Sequence, residues 1–250
     1  MHRFFVPTDI LGGPTVALPS DQARQIARVL RLRTGDSVLL LDDQGWQYPV
    51  ELAKVAATGV QGRVLGREPA PPEPRPSITL YQGTLKADKF EWVLQKGTEV
   101  GISAFAPVVC ARSVAREAHD TSAKAARWRR ILQEAAEQSG RGRVPRLLSS
   151  VPFDKAWESV EGLSLLPWER ERQTGLRRAL AERLPYSKGS DYPPVNLFIG
   201  PEGGFTPDEV ETATRHGAVT VTLGDRILRA ETAGVVAAAA VLYHVGELGG

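Results

Sequence analysis

Cysteine is nearly absent from this chain: Cys110 is the only one among 250 residues, and there are four histidines. A lone thiol cannot form an internal disulfide, and no second thiol or cluster of histidines accompanies it in the sequence. We therefore expect neither a disulfide framework nor a metal site. The scarcity of thiols also favours a reducing compartment, the cytoplasm.

Segments that would direct the chain into or across a membrane are also missing. Residues 1–7 lack the basic and then long apolar pattern of a signal peptide, and the apolar run at 233–242 is too short to span a bilayer. These absences predict a soluble cytoplasmic protein with no membrane partner. The composition is otherwise globular, and 250 residues suffice for one large or two ordinary domains.

Proline marks the clearest boundary in the chain. Residues 69–76 are dominated by proline, which favours an extended polyproline conformation and cannot sustain a helix or a central strand. We predict a linker over 69–76 between a domain at 1–68 and a second domain at 77–250. The first domain has short β-rich runs separated by turns, with one helix near residues 20–30, which is typical of a small barrel.

The second domain alternates apolar strands with helices. Its expected strands lie near residues 77–82, 104–109, 163–168, 195–199 and 219–223. Its expected helices lie near residues 88–100, 121–139, 173–184, 206–216 and 231–245. Such alternation predicts an α/β fold whose mainly parallel sheet is covered by helices on both faces. Periodicity alone predicts no knot, since chain connections ordinarily do not thread loops.

Two segments combine a short apolar run, a glycine turn and the start of a helix: residues 196–205 and residues 223–233. Glycines at strand ends allow positive φ and a close approach of the backbone to a ligand, so we expect the two loops to form one site. The helix after the first loop has a capping box formed by Thr206 and Glu209, with Pro207 in its first position.

The first of these loops does not have the features of a phosphate-binding loop. Glu202 lies inside it, no lysine follows its glycines, and the chain contains neither GxxxxGKS/T nor GxGxxG. An acidic loop with exposed backbone N–H and C=O groups better suits a neutral or cationic ligand, such as an adenosine that bears a sulfonium. A purely structural turn is the alternative that the spacing leaves open.

The motifs in the two loops are Gly200-Pro201-Glu202-Gly203-Gly204 and Leu223-Gly224-x-Arg226-Ile227-Leu228-Arg229-x-Glu231-Thr232-Ala233. With further matching segments at residues 2–6, 28–36, 91–101 and 134–141, they resemble those of the ribosomal RNA small subunit methyltransferase E family, a member of the SPOUT methyltransferases. The resemblance implies S-adenosylmethionine-dependent methylation of N3 of a uridine in 16S ribosomal RNA. It also implies a SPOUT-type α/β fold with a deep C-terminal trefoil knot, an N-terminal β-barrel of PUA-like type, and a homodimer that acts on 16S ribosomal RNA or the 30S subunit.

Given this resemblance, we expect the donor, S-adenosylmethionine, to be bound by the two loops and the end of a third strand. The expected donor-binding residues are Leu166, Pro167, Gly200, Pro201, Glu202, Gly203, Gly204, Leu223, Gly224, Ile227, Leu228, Arg229 and Thr232. Arg229 is the first candidate for catalysis, because a guanidinium can hold a uracil carbonyl oxygen and stabilise the negative charge formed when N3 loses its proton. Glu231 and Glu202 are the candidate bases, but the helix dipole favours a carboxylate at Glu231 whatever its role.

Positive charge is concentrated in the middle of the chain: residues 69–150 carry an excess of Lys and Arg, whereas residues 151–250 carry an excess of acidic residues. Counterion release near phosphates makes this asymmetry fit an RNA-facing surface, with a solvated face as the alternative. Arg28 and Arg31 are expected on one side of the first helix. Phe4 is a candidate for stacking on a base, with burial in a strand as the alternative. The expected RNA contacts are Arg3, Phe4, Arg28, Arg31, Arg33, Lys86, Lys89, Lys96, Gln138, Arg141 and Arg143.

Two other functions are compatible with the same sequence. One is an RNA-binding module without catalytic activity, which would use only the barrel and the basic surface. The other is a methyltransferase of the same class that acts on a ribose 2′-oxygen or on another base in ribosomal or transfer RNA. Binding of S-adenosylmethionine separates the enzyme from the first alternative, and the identity of the methylated nucleoside separates it from the second.

Overall fold

The computed structural model describes residues 1–56, 58–113, 122–186 and 191–249. The chain divides into two compact units. Unit 1 comprises Met1–Glu73 and Ala136–Val144, and unit 2 comprises Pro74–Ala135 and Pro145–Gly250.

The boundary between the units lies inside the predicted proline linker, between Glu73 and Pro74, but the units differ from the predicted domains in two places. The first linker residues belong to unit 1, because Glu68–Pro69 pairs with a strand of that unit and Ala70 packs against its apolar residues. Residues 136–144 also belong to unit 1, although they include the end of a helix that begins in unit 2. Local sequence patterns could not predict this second difference, because it depends on contacts between distant segments.

Unit 1 is built on a mixed sheet. Its strands are β1 (His2–Phe5), β2 (Thr15–Ala17), β3 (Ser37–Leu41), β4 (Trp46–Ala56), β5 (Gly59–Val64) and β6 (Glu68–Pro69). Within the described residues the strand order is β1-β3-β4-β5-β2, with β6 beside β4, and β1–β3 is the parallel pair of this otherwise antiparallel sheet. A 3-10 turn (Thr8–Leu11) precedes β2, and helix α1 (Ser20–Arg24) continues into a π-helical segment at Gln25–Val29. The predicted β-rich runs and the single helix near residues 20–30 are therefore confirmed.

Unit 2 contains the five strands and five helices that the sequence predicts, and two further short strands between residues 146 and 152 that it does not predict. Its strands are β7 (Ile78–Gly83), β8 (Ala104–Val109), β9 (Arg146–Leu147), β10 (Val151–Pro152), β11 (Leu163–Pro167), β12 (Val195–Ile199) and β13 (Val219–Val221). Its helices are α2 (Ala87–Val100), α3 (Ser122–Ser139), α4 (Leu176–Arg183), α5 (Pro207–Arg215) and α6 (Ala230–His244). The predicted start of α3 at Thr121 lies outside the described residues.

The sheet of unit 2 is parallel in every pair among the described strands, in the order β10-β8-β7-β12-β11-β13 with β9 beside β8. One face carries Tyr81 and Phe198, which stack on each other and pack with Val210 of α5. The opposite face carries Leu80, which lies against Gly234 of α6, and Phe105, whose ring lies against α2. Helices thus cover both faces, and the predicted α/β architecture is confirmed.

Helix α5 begins as the sequence predicts. The hydroxyl of Thr206 accepts a hydrogen bond from the backbone N–H of Glu209, and the Glu209 carboxylate accepts one from the backbone N–H of Thr206 at 2.8 Å. A second carboxylate oxygen of Glu209 accepts the N–H of Ala111 at 2.8 Å, so this residue also ties α5 to the segment after β8. Among the helices in the described ranges, none combines the length and the apolar composition needed to cross a membrane.

Candidate active site

A cavity of about 460 Å³ lies at the carboxyl ends of three adjacent strands of unit 2, β12, β11 and β13. Strand ends of this kind are the usual ligand sites of open α/β sheets. The cavity is lined by residues 167–169, 199–205 and 222–231, together with Lys89, Arg172 and Ala233. The two glycine segments that the sequence singles out therefore meet in one cavity.

The first glycine loop, residues 200–204, passes directly over the end of β7. A Cβ on Gly83 would lie 2.5 Å from the nitrogen of Pro201 and 2.8 Å from the carbonyl carbon of Gly200, so any larger residue at position 83 would displace the loop. The N–H of Gly204 donates to the C=O of Pro201 at 2.9 Å, and Gly204 has a φ of +68°. These contacts hold the loop against the carboxyl end of β7.

Two side chains from neighbouring elements also hold the first glycine loop. Gln82 in β7 is fully buried, and its amide donates to the C=O of Gly200 at 3.4 Å. The Arg112 guanidinium donates to the C=O of Gly203 at 2.9 Å and of Phe205 at 3.3 Å. Because hydrogen bonds from outside the loop occupy its carbonyl groups, the loop has a defined shape without a ligand.

The second glycine loop, residues 223–229, is held less tightly. Gly224 has a φ of +111°, and its N–H donates to the hydroxyl of Thr222 at 3.2 Å. In the described part of the chain, nothing beyond its sequence neighbours lies within 4 Å of where its Cβ would be. Ile227 is 86% exposed, which is unusual for a large aliphatic side chain. The loop ends at Arg229, which adopts an extended conformation immediately before α6.

Three charged side chains meet in the wall of the cavity. The ammonium of Lys89 lies 3.2 Å from Oε1 of Glu202 and 3.7 Å from Oε2 of Glu231. Oε2 of Glu231 is buried and accepts no hydrogen bond from any described residue, since 3.7 Å is too long for one. This oxygen is therefore an unsatisfied acceptor, which favours a cation or an N–H donor nearby.

Arg229 lines the same cavity and is exposed. Among the described residues, its guanidinium makes no ion pair and no side-chain hydrogen bond, in contrast to Lys89. An unengaged guanidinium at the rim of a cavity can bind a carbonyl oxygen or an anion of an incoming substrate.

The structure brings together most of the predicted donor-binding residues. Those that line the cavity are Pro167, Gly200, Pro201, Glu202, Gly203, Gly204, Leu223, Gly224, Ile227, Leu228 and Arg229. Leu166 and Thr232 are not among the lining residues. Leu166 is fully buried in the core between the sheet and α5, because adjacent residues of a strand point to opposite faces of the sheet.

Four of the predicted RNA contacts are engaged inside unit 1 instead. Phe4 is 1% exposed in the core, so it cannot stack on a base. Arg141 is buried in an ion pair with Glu73, and Arg3 donates to the backbone C=O of Gly140. Arg143 donates to the C=O of Gln44 at 2.8 Å and to the C=O of Asp43. The predictions for Phe4 and Arg141 are corrected: both are structural residues. Arg3 and Arg143 also attach residues 136–144 to the sheet of unit 1.

Other predicted RNA contacts are on the surface. The exposed residues are Arg28, Arg31, Arg33, Lys86 and Gln138. Lys96 forms an ion pair of 2.8 Å with Glu99 one turn along α2. The prediction that Arg28 and Arg31 share one side of a helix is wrong, because the helical segment ends at Val29 and Arg31 has a φ of +54°.

Several residues of the site were missed by the sequence reasoning. Gly83 and Arg112 hold the first glycine loop, and Trp168 and Glu169 line the cavity. For Gly83, the glycine at the end of a predicted strand was an available signal of close backbone contact. For Arg112 nothing in the local pattern points to the loop, because the contact joins segments 91 residues apart.

Cys110 does not belong to the cavity lining and is buried in the core of unit 2. Burial raises the pKa of its thiol well above the usual range, and the nearby carboxylate of Glu209 raises that pKa further. The thiol is therefore neutral at ordinary pH and serves as a small apolar side chain.

A parallel sheet with a glycine-lined cavity at its strand ends defines an α/β ligand-binding domain. A family model described as an RNA methyltransferase domain matches residues 71–242. The chain is 33% identical to the ribosomal RNA small subunit methyltransferase E of Bacillus subtilis, over 100% of this chain and 99% of that protein. It is also similar to the crystal structure of such an enzyme from Neisseria gonorrhoeae bound to S-adenosylmethionine, with 30% identity, a TM-score of 0.84 and 97% of each chain covered. A putative methyltransferase from Legionella pneumophila, in complex with S-adenosylmethionine, has 26% identity and a TM-score of 0.85, with 97% of each chain covered.

The chain belongs to the ribosomal RNA small subunit methyltransferase E family. The matches to the Bacillus and Neisseria enzymes cover both units, so they include the N-terminal segment that the RNA methyltransferase model does not reach. This membership confirms the family resemblance that the motifs of the two glycine loops indicate.

Proposed function

We propose that this protein transfers the methyl group of S-adenosylmethionine to N3 of a uridine in 16S ribosomal RNA of the small subunit. The observation that carries the proposal is the single cavity formed by both glycine loops at the strand ends of a domain that belongs to this family. N3 of uridine is the position that the family resemblance implies, and the ribose 2′-oxygen is the position that a test must exclude.

The residues of the cavity fit S-adenosylmethionine. Apolar walls from Pro167, Leu223 and Leu228 suit an adenosine, and the first glycine loop lets the backbone lie at close range to the ligand. The buried and unsatisfied Oε2 of Glu231 suits a cationic ligand or an N–H donor. When bound, the donor supplies an electrophilic methyl group on a sulfonium.

Methyl transfer to a uracil nitrogen requires that the base be held in line and that N3 lose a proton. We assign the first task to Arg229, which lines the cavity, because a guanidinium can hold a uracil carbonyl oxygen and stabilise the negative charge that appears on the imide. Glu231 and Glu202 are the candidate proton acceptors, and both are already paired with Lys89. Donor binding is assigned to the lining residues named above, apart from Arg229 and the exposed Ile227.

RNA binding is proposed for the exposed residues Arg28, Arg31, Arg33, Lys86 and Gln138. Cations at the surface of unit 1 and at the start of α2 can neutralise phosphates and release counterions. Arg3, Arg141 and Arg143 are left out of this set, because their guanidinium groups already bind Gly140, Glu73 and the segment at residues 43–44.

Further features of the family are proposed for this chain as well. They are a trefoil knot in the C-terminal part of unit 2, a closed PUA-like barrel in unit 1, a homodimer, and action in the cytoplasm where ribosomal subunits are assembled. The exposed apolar side chains of α6, Val236 and Tyr243, are compatible with burial against a second copy. Light scattering at working concentration tests the dimer, and a monomer would contradict it.

The decisive experiment is nucleoside mass spectrometry after reaction of the protein and S-adenosylmethionine with 30S subunits that lack the modification. We expect 3-methyluridine to appear. A 2′-O-methylated nucleoside would instead assign the enzyme to another RNA position. Calorimetry with S-adenosylmethionine separates the enzyme from a catalytically silent RNA-binding module, since the module would bind RNA but not the donor.

A further inference from the structure

Lys89 lies in the wall of the cavity and joins three elements of unit 2. It belongs to α2, Glu202 belongs to the first glycine loop, and Glu231 lies in the first turn of α6. One ammonium at 3.2 Å and 3.7 Å from the two carboxylates therefore bridges the two segments that form the cavity. The sequence predicts Lys89 as an RNA contact, whereas the structure pairs it with carboxylates of the cavity.

The position of Lys89 is unfavourable for α2 itself. The helix begins at Ala87, and the helix dipole disfavours a cation in the first turn. Its side chain is 28% exposed, whereas Lys86, at the start of the same helix, is on the surface. Lys89 lies in the first turn of α2 and points toward two carboxylates. Its position therefore serves the contacts in the cavity wall and does not stabilise the helix.

We propose that Lys89 is a positioning residue of the donor site. Its ammonium links the first glycine loop to α6, and its charge sets the relative affinity of the site for the sulfonium donor and the neutral product. The inference rests on the proposed function, because it needs a donor that loses a positive charge when the methyl group leaves. Around the donor, one ammonium opposes two carboxylates. Removing the ammonium makes this part of the cavity more negative and favours the cationic ligand over the neutral one.

The test compares the affinities of full-length variants for S-adenosylmethionine and S-adenosylhomocysteine by calorimetry. In Lys89→Met we expect both ligands to bind more weakly because the tie is lost, and the product to lose more than the donor. The ratio of donor affinity to product affinity is expected to rise about threefold to tenfold, the effect of a unit charge acting through a partly hydrated interior. Lys89→Arg keeps the charge and is expected to keep the wild-type ratio.

Two further variants test whether the charge of the site determines the ratio of donor affinity to product affinity. Glu202→Gln removes one negative charge from the same group and is expected to lower the ratio by a similar factor. Lys155→Met removes a lysine that is paired with Glu158 outside the cavity, and it is expected to leave the ratio unchanged. Thermal melting checks that each variant folds, and Lys89→Gln replaces the Met variant if that one does not.

The inference is overturned by either of two results. An unchanged ratio in Lys89→Met, including an equal loss of both ligands, would leave Lys89 without an electrostatic role toward the donor. A loss confined to RNA affinity, with the salt dependence reduced by about one ion, would make it a phosphate contact. A wild-type chain that binds neither ligand would instead overturn the proposed function, so the two failures are distinguishable.

Discussion

The two glycine loops line the same cavity but differ in how the rest of unit 2 holds them. The first glycine loop rests on Gly83, and its carbonyl groups accept hydrogen bonds from Gln82 and Arg112. The second glycine loop carries the exposed Ile227 and an open space around Gly224. In sequence the two look alike, since each is a strand end followed by glycine and then a helix.

The difference indicates a division of tasks between the loops. A loop that is held from outside is preorganised and can bind the donor at little conformational cost. A loop with few contacts can adjust when the much larger RNA substrate arrives, and it ends at Arg229, whose guanidinium makes no ion pair with any described residue. Variants in the first loop are therefore expected to change donor affinity, and variants at Ile227 and Arg229 of the second loop are expected to change turnover or substrate binding.

The largest effect is expected from Arg229→Ala at the end of the second glycine loop. Loss of a group that stabilises developing negative charge is expected to lower kcat about 10²- to 10³-fold. Donor affinity, measured by calorimetry, is expected to change by less than about threefold, because the interaction forms mainly in the transition state. Arg215→Ala, an exposed arginine at the end of α5, serves as the matched control. Equal losses in turnover and donor affinity would make Arg229 a binding residue and would weaken the division between the loops.

A second variant acts beneath the first glycine loop. In Gly83→Ala the new methyl group meets the backbone of Pro201 and Gly200, which cannot move without displacing the loop. We expect donor affinity to fall about tenfold or more and stability to fall by about 1–3 kcal/mol. Gly175→Ala, at a glycine with open space and a negative φ, is the control and is expected to bind the donor normally. Normal donor binding by Gly83→Ala would show that the loop is not held rigidly.

A smaller effect is expected from Arg112→Ala. The variant removes two hydrogen bonds to the carbonyls of Gly203 and Phe205, and the exposed position of Arg112 limits what they contribute. We expect donor affinity to fall about threefold to tenfold, with kcat at saturating donor close to that of the wild type. Arg178→Ala removes a surface arginine paired with Glu182 and is the control. A change in kcat at constant affinity would contradict a purely supporting role.

The elements of unit 2 could be predicted from local sequence because each signal is local. The apolar run before Gly200 is strand β12, and the Thr206–Glu209 capping box starts α5 in the structure as in the sequence. The parallel direction of the strands follows from the alternation of strands and helices, whereas their order in the sheet was not predicted. The assignment of residues 136–144 to unit 1 could not be predicted, because it depends on ion pairs and hydrogen bonds across long separations, such as Arg141 with Glu73, 68 residues apart.

The same limit applies to the charged residues of the site. A basic side chain in sequence is equally compatible with a phosphate contact, an internal ion pair and a place in the cavity. The structure assigns Arg141 to an ion pair, Arg3 and Arg143 to backbone carbonyls, and Lys89 to two carboxylates. Glycine positions were predicted better than charges, since a glycine at a strand end indicates a turn or a close approach of the backbone at that point.

The smallest effect on the folded chain is expected from Ile227→Ser in the second glycine loop. Ile227 is 86% exposed, so the substitution is expected to change the free energy of unfolding by less than about 0.5 kcal/mol. If this loop packs on the substrate, RNA affinity will fall about threefold to tenfold while donor affinity stays constant, because the side chain would be buried only in the complex. Leu65→Ser, at another exposed aliphatic residue but in unit 1, controls for a general loss of surface apolarity. Unchanged RNA affinity in Ile227→Ser would mean that Arg229, and not Ile227, is the residue of the second loop that contacts the substrate. A loss of stability would show that the loop is packed in the free protein. The contrast with the first loop would then be smaller than the structure indicates.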